Sequence, residues 1–390
     1  MAMASEGPLI ALVAGEASGD NLGAALIAAL RERVPGARFI GIAGPRMREA
    51  GCEVIADSEE LALMGLAEIL RHLPRLLRLR RRVVATLCER EPAVFIGIDA
   101  PEFNLGLARQ LKRAGLRTVQ YVSPQVWAWR QGRVRGIAES CDRILCLLPF
   151  EPAFYAAHGV EARFVGHPLA DQFPLIPDRS GARATLGIAG EAPVLAVLPG
   201  SRRGEVERLA EPFALAAAWL HSHRPEVQFV APLTSEATRA QFEAVWASVA
   251  PGVPVRVLLG QSRLVLAAAD AVLVASGTAT LETLLSRRPM VVAYKLAPLT
   301  AWLIRRFKLV KVAFFSQPNL LLGRAAVPEF FQEQARPEAL GAALLELFSN
   351  SERWPALAAE FRAVHEQLRG GGAAAAAEAI CELLPAAPAR

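Results

Sequence analysis

Short runs of continuous apolar residues alternate along the chain with longer stretches whose apolar positions return every three or four residues. The short runs predict strands at Leu9–Ala14, Val94–Ile98, Thr118–Val122, Arg143–Leu148, Val194–Leu198, Gln228–Pro232, Val255–Leu259, Ala271–Ala275 and Met290–Tyr294. The longer stretches predict helices, among them Asn21–Val34, Asn104–Ala114, Val206–His221 and Thr280–Leu285. Continuous apolar strands separated by helices indicate parallel sheets covered on both faces. The expected fold class is therefore α/β, with doubly wound, Rossmann-like sheets.

The alternation pauses between about Gly166 and Glu191, where Pro168, Pro174, Pro177, Gly181, Gly187 and Gly190 fall, and then begins afresh. This predicts an N-terminal domain over 1–170 and a C-terminal domain over 171–365. A terminal Ala-rich helix follows in 366–390, and its path, back to the first domain or not, stays open. Two such halves around a Pro-rich joint are expected to bind a ligand in the cleft between them.

Composition narrows the class. The chain has 390 residues, 53% hydrophobic and 21% charged, which is globular rather than disordered. Mean hydropathy is high at +0.29. Yet no apolar run reaches the roughly 18 residues of a membrane span, and the oiliest stretch, Leu264 to Ala275, is broken by Asp270. A net charge of +5 suits anionic partners without choosing among nucleotides, phospholipids and nucleic acid. Five scattered cysteines match neither a zinc pattern nor a disulfide framework, so buried reduced thiols in a cytoplasmic protein are expected. Pro8 to Ala14 reads as a first strand and not as a signal peptide.

Three glycine-containing loops follow predicted strands and precede helices. The first, Gly15-Glu16-Ala17-Ser18-Gly19-Asp20, fits neither a dinucleotide fingerprint nor a P-loop. A ligand-facing loop and a tight turn capped by Asp20 are both open readings. The second, Pro199-Gly200-Ser201-Arg202, offers free backbone, a hydroxyl and a planar guanidinium for phosphate oxygens. The third, Ser276-Gly277-Thr278-Ala279 with Glu282 in the following turn, offers helix-start amides and a carboxylate for ribose hydroxyls. Capping is the alternative for Ser201 and Glu282. Together the last two loops can grip a diphosphate and a ribose.

The blocks Ala14–Asp20 (AGEASGD), Gly41–Gly51 (GIAGPRMREAG), Gly97–Asn104 (GIDAPEFN) and Tyr121–Arg130 (YVSPQVWAWR) are unusual and ordered. So are Gly166–Asp171 (GHPLAD), Leu198–Val206 (LPGSRRGEV), Ala275–Glu282 (ASGTATLE) and Gln317–Gly323 (QPNLLLG). Over nearly its whole length the chain thereby resembles the lipid-A-disaccharide synthase family. That resemblance implies a GT-B fold, two Rossmann-like domains facing a central cleft. It also implies inverting transfer of 2,3-diacylglucosamine from UDP to the 6-hydroxyl of 2,3-diacylglucosamine 1-phosphate (lipid X), with no cofactor and no metal. No metal-ligand spacing is visible in the sequence either.

Inverting transfer needs a base for the attacking hydroxyl and stabilisation of the leaving diphosphate. Asp99, at the end of a predicted strand, is the expected base; capping the next helix is its alternative. Arg202, with Ser201, Gly200, Ser276, Gly277, Thr278 and Ala279, is expected to hold the diphosphate and Glu282 the ribose. Asn319 and Arg324 are expected to line the same cleft. Gly15, Ser18 and Asp20 are expected on the acceptor side, with Trp127, Trp129 and Arg130 walling the cleft or packing as an aromatic corner under the sheet.

The segment Leu61–Leu87 is apolar at Leu66, Ile69, Leu70, Leu73, Leu76 and Leu77, continuing through Val83, Val84 and Leu87, and basic opposite, with Pro74 kinking or dividing it. It is either a membrane-surface helix or an ordinary helix facing the core. Ala301–Phe315 mixes aromatic and basic residues and is a second candidate. The expected partners are UDP-diacylglucosamine, lipid X and an anionic inner-membrane surface on the cytoplasmic side, with no nucleic acid; oligomeric state, a homodimer included, is not legible. Rival readings are a UDP-N-acetylglucosamine 2-epimerase, a muramyl-lipid transferase, or a non-catalytic nucleotide-sugar-binding protein.

Overall fold

A computed structural model describes residues 7–62, 66–128, 131–188, 190–297, 300–302, 306 and 312–385. The chain divides into two compact units. One runs to Pro168 and resumes at Leu368; the other is Leu169–Gln367.

The first unit holds a seven-stranded parallel sheet: β1 (Leu9–Ala14), β2 (Arg38–Ala43), β3 (Cys52–Asp57), β4 (Val94–Ile98), β5 (Arg117–Tyr121), β6 (Arg143–Cys146) and β7 (Ala162–Phe164). Its order is β3-β2-β1-β4-β5-β6-β7. Every residue of β1 is buried. Successive side chains point to opposite faces, so Leu9, Ala11 and Val13 join one apolar cluster and Ile10, Leu12 and Ala14 the other. Helix α1 (Ala17–Arg33) follows β1, α2 (Leu66–Arg90) precedes β4, and α3 (Pro101–Arg113) follows it.

The second unit holds six parallel strands: β8 (Val194–Leu198), β9 (Gln228–Leu233), β10 (Val255–Leu259), β11 (Ala271–Ala275), β12 (Met290–Tyr294) and β13 (Glu329–Phe331). Their order is β10-β9-β8-β11-β12-β13. Helix α4 (Arg203–His223) follows β8 and α5 (Thr278–Leu285) follows β11. Asp270, which breaks the apolar run in the sequence, accepts the Val194 amide at 2.8 Å and pairs with Arg183 at 2.6 Å and Arg179 at 2.9 Å. It therefore ties β11 to β8 at the edge opposite the loops of interest.

Helix α6 (Gly372–Cys381) belongs to the first unit. Ala376, Ala377 and Ile380 pack into the cluster that holds Leu26, Ile27 and Leu30 of α1. Arg143, buried, donates to the Ala379 carbonyl and pairs with Glu382 at 2.8 Å. The way out to the second unit and the way back meet here: the His167 amide donates to the Leu368 carbonyl at 2.8 Å.

Helix α2 is one helix that includes Pro74. Its lower half is core-facing: Leu79, Val83 and Leu87 are buried, and Leu76 and Val84 pack against the same cluster. Of the two readings open for this segment, the core-facing one holds from Leu79 to Leu87, and Leu76, expected in the membrane patch, packs inward with it. Only Leu73 and Leu77 among its described large apolar side chains stay exposed, at 43% and 40%. The side chains of Leu66, Ile69 and Leu70 lie outside the described residues. Most of the second membrane candidate does too; Trp302 is exposed, whereas Phe315 packs with Tyr294 and Phe331. Among the described residues no helix is long and apolar enough to cross a membrane. The five cysteines are unbonded, and burial pushes the thiols of Cys52 and Cys141 up to about 12.

Candidate functional site

In both sheets the strand order reverses at the centre, between β1 and β4 and between β8 and β11. Loops leaving the carboxyl ends of those two strands run to opposite faces, and the crevice between them is where such sheets bind ligands. The sequence places its candidate chemistry on those four loops.

In the second unit, the loops after β8 and β11 line one cavity of about 320 Å³. Gly200, Ser201, Arg202, Ser276, Gly277, Thr278, Ala279 and Glu282 all line it, as does Glu205, which the sequence reading did not single out. The Glu205 carboxylate accepts the amides of Ser201 at 2.9 Å and Arg202 at 3.2 Å. Gly200, at φ +129°, lies against this side chain: a Cβ there would stand 2.5 Å from the Glu205 Cβ. The missing side chain at Gly200 therefore makes room for Glu205 and not for a ligand. The expected use of this loop's backbone for phosphate is revised accordingly. What remain toward the cavity are the exposed side chains of Ser201 and Arg202.

The β11 loop is different. Gly277, at φ +152°, opens α5, and a Cβ added there meets nothing within 4 Å. The first amides of a helix have no intrahelical acceptor and carry its partial positive charge. Ser276 is anchored, its hydroxyl donating to the Phe315 carbonyl at 2.9 Å. Glu282, one turn into α5, is half-buried, and burial raises its carboxyl above the usual range, opposed by Arg263. Its carboxylate makes no hydrogen bond to any described residue, so those two oxygens are available to ligand hydroxyls.

Two expected members are absent from this cavity. Asn319 is buried, donating to Val327 O and Glu329 Oε1 and accepting from Ala326 N and Val327 N, all within 2.9 Å. Every polar atom of its amide is used in holding its own loop. Arg324 pairs with Glu360 at 2.5 Å, away from the cavity-lining residues. The expectation for Asn319 is corrected; Arg324 stands outside the lining of this cavity.

In the first unit, Asp99 leaves β4 with φ +51° and Ala100 follows at +40°. Val122, leaving the neighbouring β5, has φ +74°. Left-handed backbone at three residues that are not glycine, one of them β-branched, costs of order 1–3 kcal/mol each and persists only where surroundings enforce it. The enforcement is visible. The Asp99 carbonyl accepts from Asn104 Nδ2 and Gln120 Nε2, both at 2.9 Å, and its amide donates to Tyr121 O. Asp99 and Val122 line a cavity of about 270 Å³ with Pro101, Glu102, Ser123–Val126 and Arg133. Burial raises the Asp99 carboxyl above the usual range, partly offset by a hydrogen bond from the Ala100 amide.

Gly15 sits beside this loop: a Cβ there would lie 3.3 Å from the Ala100 Cβ. Ser18 is exposed. Asp20 is buried and accepts the amides of Gly44 at 2.9 Å, Arg46 at 2.8 Å and Met47 at 3.1 Å. It caps the short helix Pro45–Glu49, so its assignment to the acceptor side is corrected. Trp127 is buried, donating to Glu151 at 3.0 Å and meeting Phe150 edge-on, a packed corner. Trp129 and Arg130 lie outside the described residues. Among the described residues no three His, Cys, Asp or Glu side chains group as metal ligands.

Comparison with known proteins adds the following. Residues 10–380 match the model of a family described as lipid-A-disaccharide synthetase. A lipid-A-disaccharide synthase of Pectobacterium carotovorum subsp. carotovorum (strain PC1) is 50% identical over 382 residues, 98% of this chain and 99% of that one. Another, from Alcanivorax borkumensis (strain SK2), is 50% identical over 386 residues, 99% and 100% of the two chains. Among solved structures, the glycotransferase of kitacinnamycin superposes with a TM-score of 0.62 at 20% identity, covering 98% of this chain and 100% of its own.

Proposed function

The chain belongs to the lipid-A-disaccharide synthetase family and has the GT-B fold, and from that premise we propose how its two sites divide the reaction. It is a UDP-sugar-dependent glycosyltransferase. The reaction moves 2,3-diacylglucosamine from UDP to the 6-hydroxyl of 2,3-diacylglucosamine 1-phosphate, with inversion, giving the β-1,6-linked disaccharide 1-phosphate and UDP. Membership in this family sets aside the epimerase, the muramyl-lipid transferase and the non-catalytic binder.

The second unit takes the UDP portion. Glu282 accepts the ribose hydroxyls. The open amides at the start of α5 and the Arg202 guanidinium face the diphosphate, whose charge grows as the glycosidic bond breaks. In the first unit Asp99 receives the proton of the attacking hydroxyl. Burial raises its carboxyl above the usual range, which makes it a better base than a solvated carboxylate. The observation that carries this reading is the strained Asp99 backbone, held against its own preference at the crevice of the sheet.

Converting Asp99 to Asn tests it: disaccharide formation, followed by mass spectrometry, is expected to vanish while UDP binding stays within a few-fold. Near-normal turnover would sink the assignment. The protein is further proposed to work at the cytoplasmic face of the inner membrane, touching anionic lipid through Leu73 and Leu77. Both substrates carry acyl chains, and these two leucines are exposed beside Arg75 and Arg78.

A further inference from the structure

We propose that Arg133 binds the phosphate of the acceptor sugar in the Asp99 cavity, exchanging its present partner Glu102 for that anion. The proposal rests on Asp99 being the base. A hexose whose 6-hydroxyl meets Asp99 carries its 1-phosphate on the other carbon bonded to the ring oxygen, so a cation must stand within a sugar's width of Asp99 in the same cavity, as Arg133 does. Arg133 is the only cation among the described residues lining this cavity.

Its guanidinium already makes the two parallel hydrogen bonds that a phosphate would take. Nη1 and Nη2 donate to the two Glu102 oxygens at 2.7 and 3.0 Å. That fork geometry matches carboxylate and phosphate alike. Glu102 is a weak holder, since its side chain is 72% exposed and water screens the pair. A phosphate monoester carries about −1.5 to −2 charge at neutral pH against −1 for the carboxylate, so it wins the exchange. The guanidinium also has room to turn. Pro101, Glu102 and Arg133 line a second cavity of about 300 Å³ with Leu105, Gly106 and Ile137. The pair thus stands between two open spaces.

Glu102 acquires a role as well. It keeps Arg133 oriented and neutralised until the acceptor arrives, and it leaves a polar rim that an unphosphorylated lipid sugar cannot satisfy. Arg133 would then select acceptors that carry the phosphate.

The test compares the full-length protein with its Arg133→Gln variant on 2,3-diacylglucosamine with and without the 1-phosphate. With the phosphate, the acceptor KM of the variant is expected to rise about tenfold or more, while the donor KM stays fixed and kcat moves by a few-fold at most. Without the phosphate, the two proteins are expected to behave alike. Calorimetric binding of both acceptors in detergent micelles reads the same contrast if the unphosphorylated one turns over too slowly. An unchanged KM, or an equal loss with both acceptors, overturns the proposal. If Arg133→Gln fails to fold, Arg133→Lys keeps the charge and loses the fork, and a smaller phosphate-dependent rise is expected from it. No contrast in the Lys variant overturns the proposal too. If the unmutated protein forms no disaccharide from either acceptor, the reading of the reaction fails first, and this assignment falls with it.

Discussion

The Glu205 carboxylate closes on the backbone amides of Ser201 and Arg202, 2.9 and 3.2 Å away, and so occupies the nest that a glycine loop would otherwise offer to phosphate. A loop satisfied from within is already shaped before the ligand comes. Glu205→Gln retains an oxygen acceptor and is expected to keep UDP affinity within a few-fold. Glu205→Ala leaves two amides unpartnered and is expected to cost about 1 kcal/mol of stability and to weaken UDP binding. Calorimetry with UDP and thermal melts check both. Tighter UDP binding by the Ala variant would show that Glu205 blocks the site.

Arg202 has no such internal occupation. Arg202→Ala is expected to weaken UDP binding about tenfold or more, and the deficit should shrink as salt is raised, because the contact is exposed and screened. Unchanged affinity at low salt would remove Arg202 from the diphosphate site.

Burial raises the Asp99 carboxyl, and the sign of its linkage follows. With the folded pKa above the unfolded one, the favourable contribution is full below the unfolded value and is lost as pH rises through the folded value. Above the unfolded value the group therefore weakens the fold, increasingly so up to the folded value. Asp99→Asn is expected to raise Tm at pH 7 while abolishing turnover, and the Tm gain should disappear in acid. In the unmutated enzyme, turnover should fall in acid at a higher pH than an exposed aspartate would give. A lower Tm for the Asn variant at pH 7 would contradict this account.

Asp20 separates a structural from a binding role. Its carboxylate holds three amides of a neighbouring helix. Asp20→Ala is expected to cost about 1–3 kcal/mol of stability, with the acceptor KM of the folded protein unchanged. A KM effect without destabilisation would restore the acceptor-side reading.

For the surface of α2, Leu73→Asp and Leu77→Asp are expected to leave Tm unchanged and to abolish flotation with anionic liposomes. Val83→Asp, in the core, is expected to unfold the protein. Flotation undiminished in the double variant would move the membrane contact elsewhere.

The central strands were legible because they are buried on both faces, and burial leaves a continuous apolar run. Four strands escaped that signal, three of them for physical reasons. β3 is an edge strand with a mixed burial pattern, and β7 and β13 are three residues long; β2, buried at five of its six positions, has no such explanation. The predicted helices began late because their first turns are made of capping and loop residues, such as Ala-Ser-Gly-Asp before Asn21. At the candidate site, the position of Asp99 could be read from the end of a strand. The roles of Asp20 and Asn319 could not, since a short polar side chain near a turn looks the same whether it faces a ligand or its own backbone. Glu205 did leave a trace, a glutamate three residues after the helix boundary, the place where such a side chain reaches back to cap.

The return of α6 to the first sheet makes the second unit an insertion in the first. During synthesis the Rossmann-like half that emerges first stays unfinished until residues beyond Leu368 leave the ribosome. Its cluster around Leu26 and Ile27 must meanwhile lack Ala376, Ala377 and Ile380. A chain stopped near residue 367 would therefore lose more than a tail: the earliest-made domain would be the one left open.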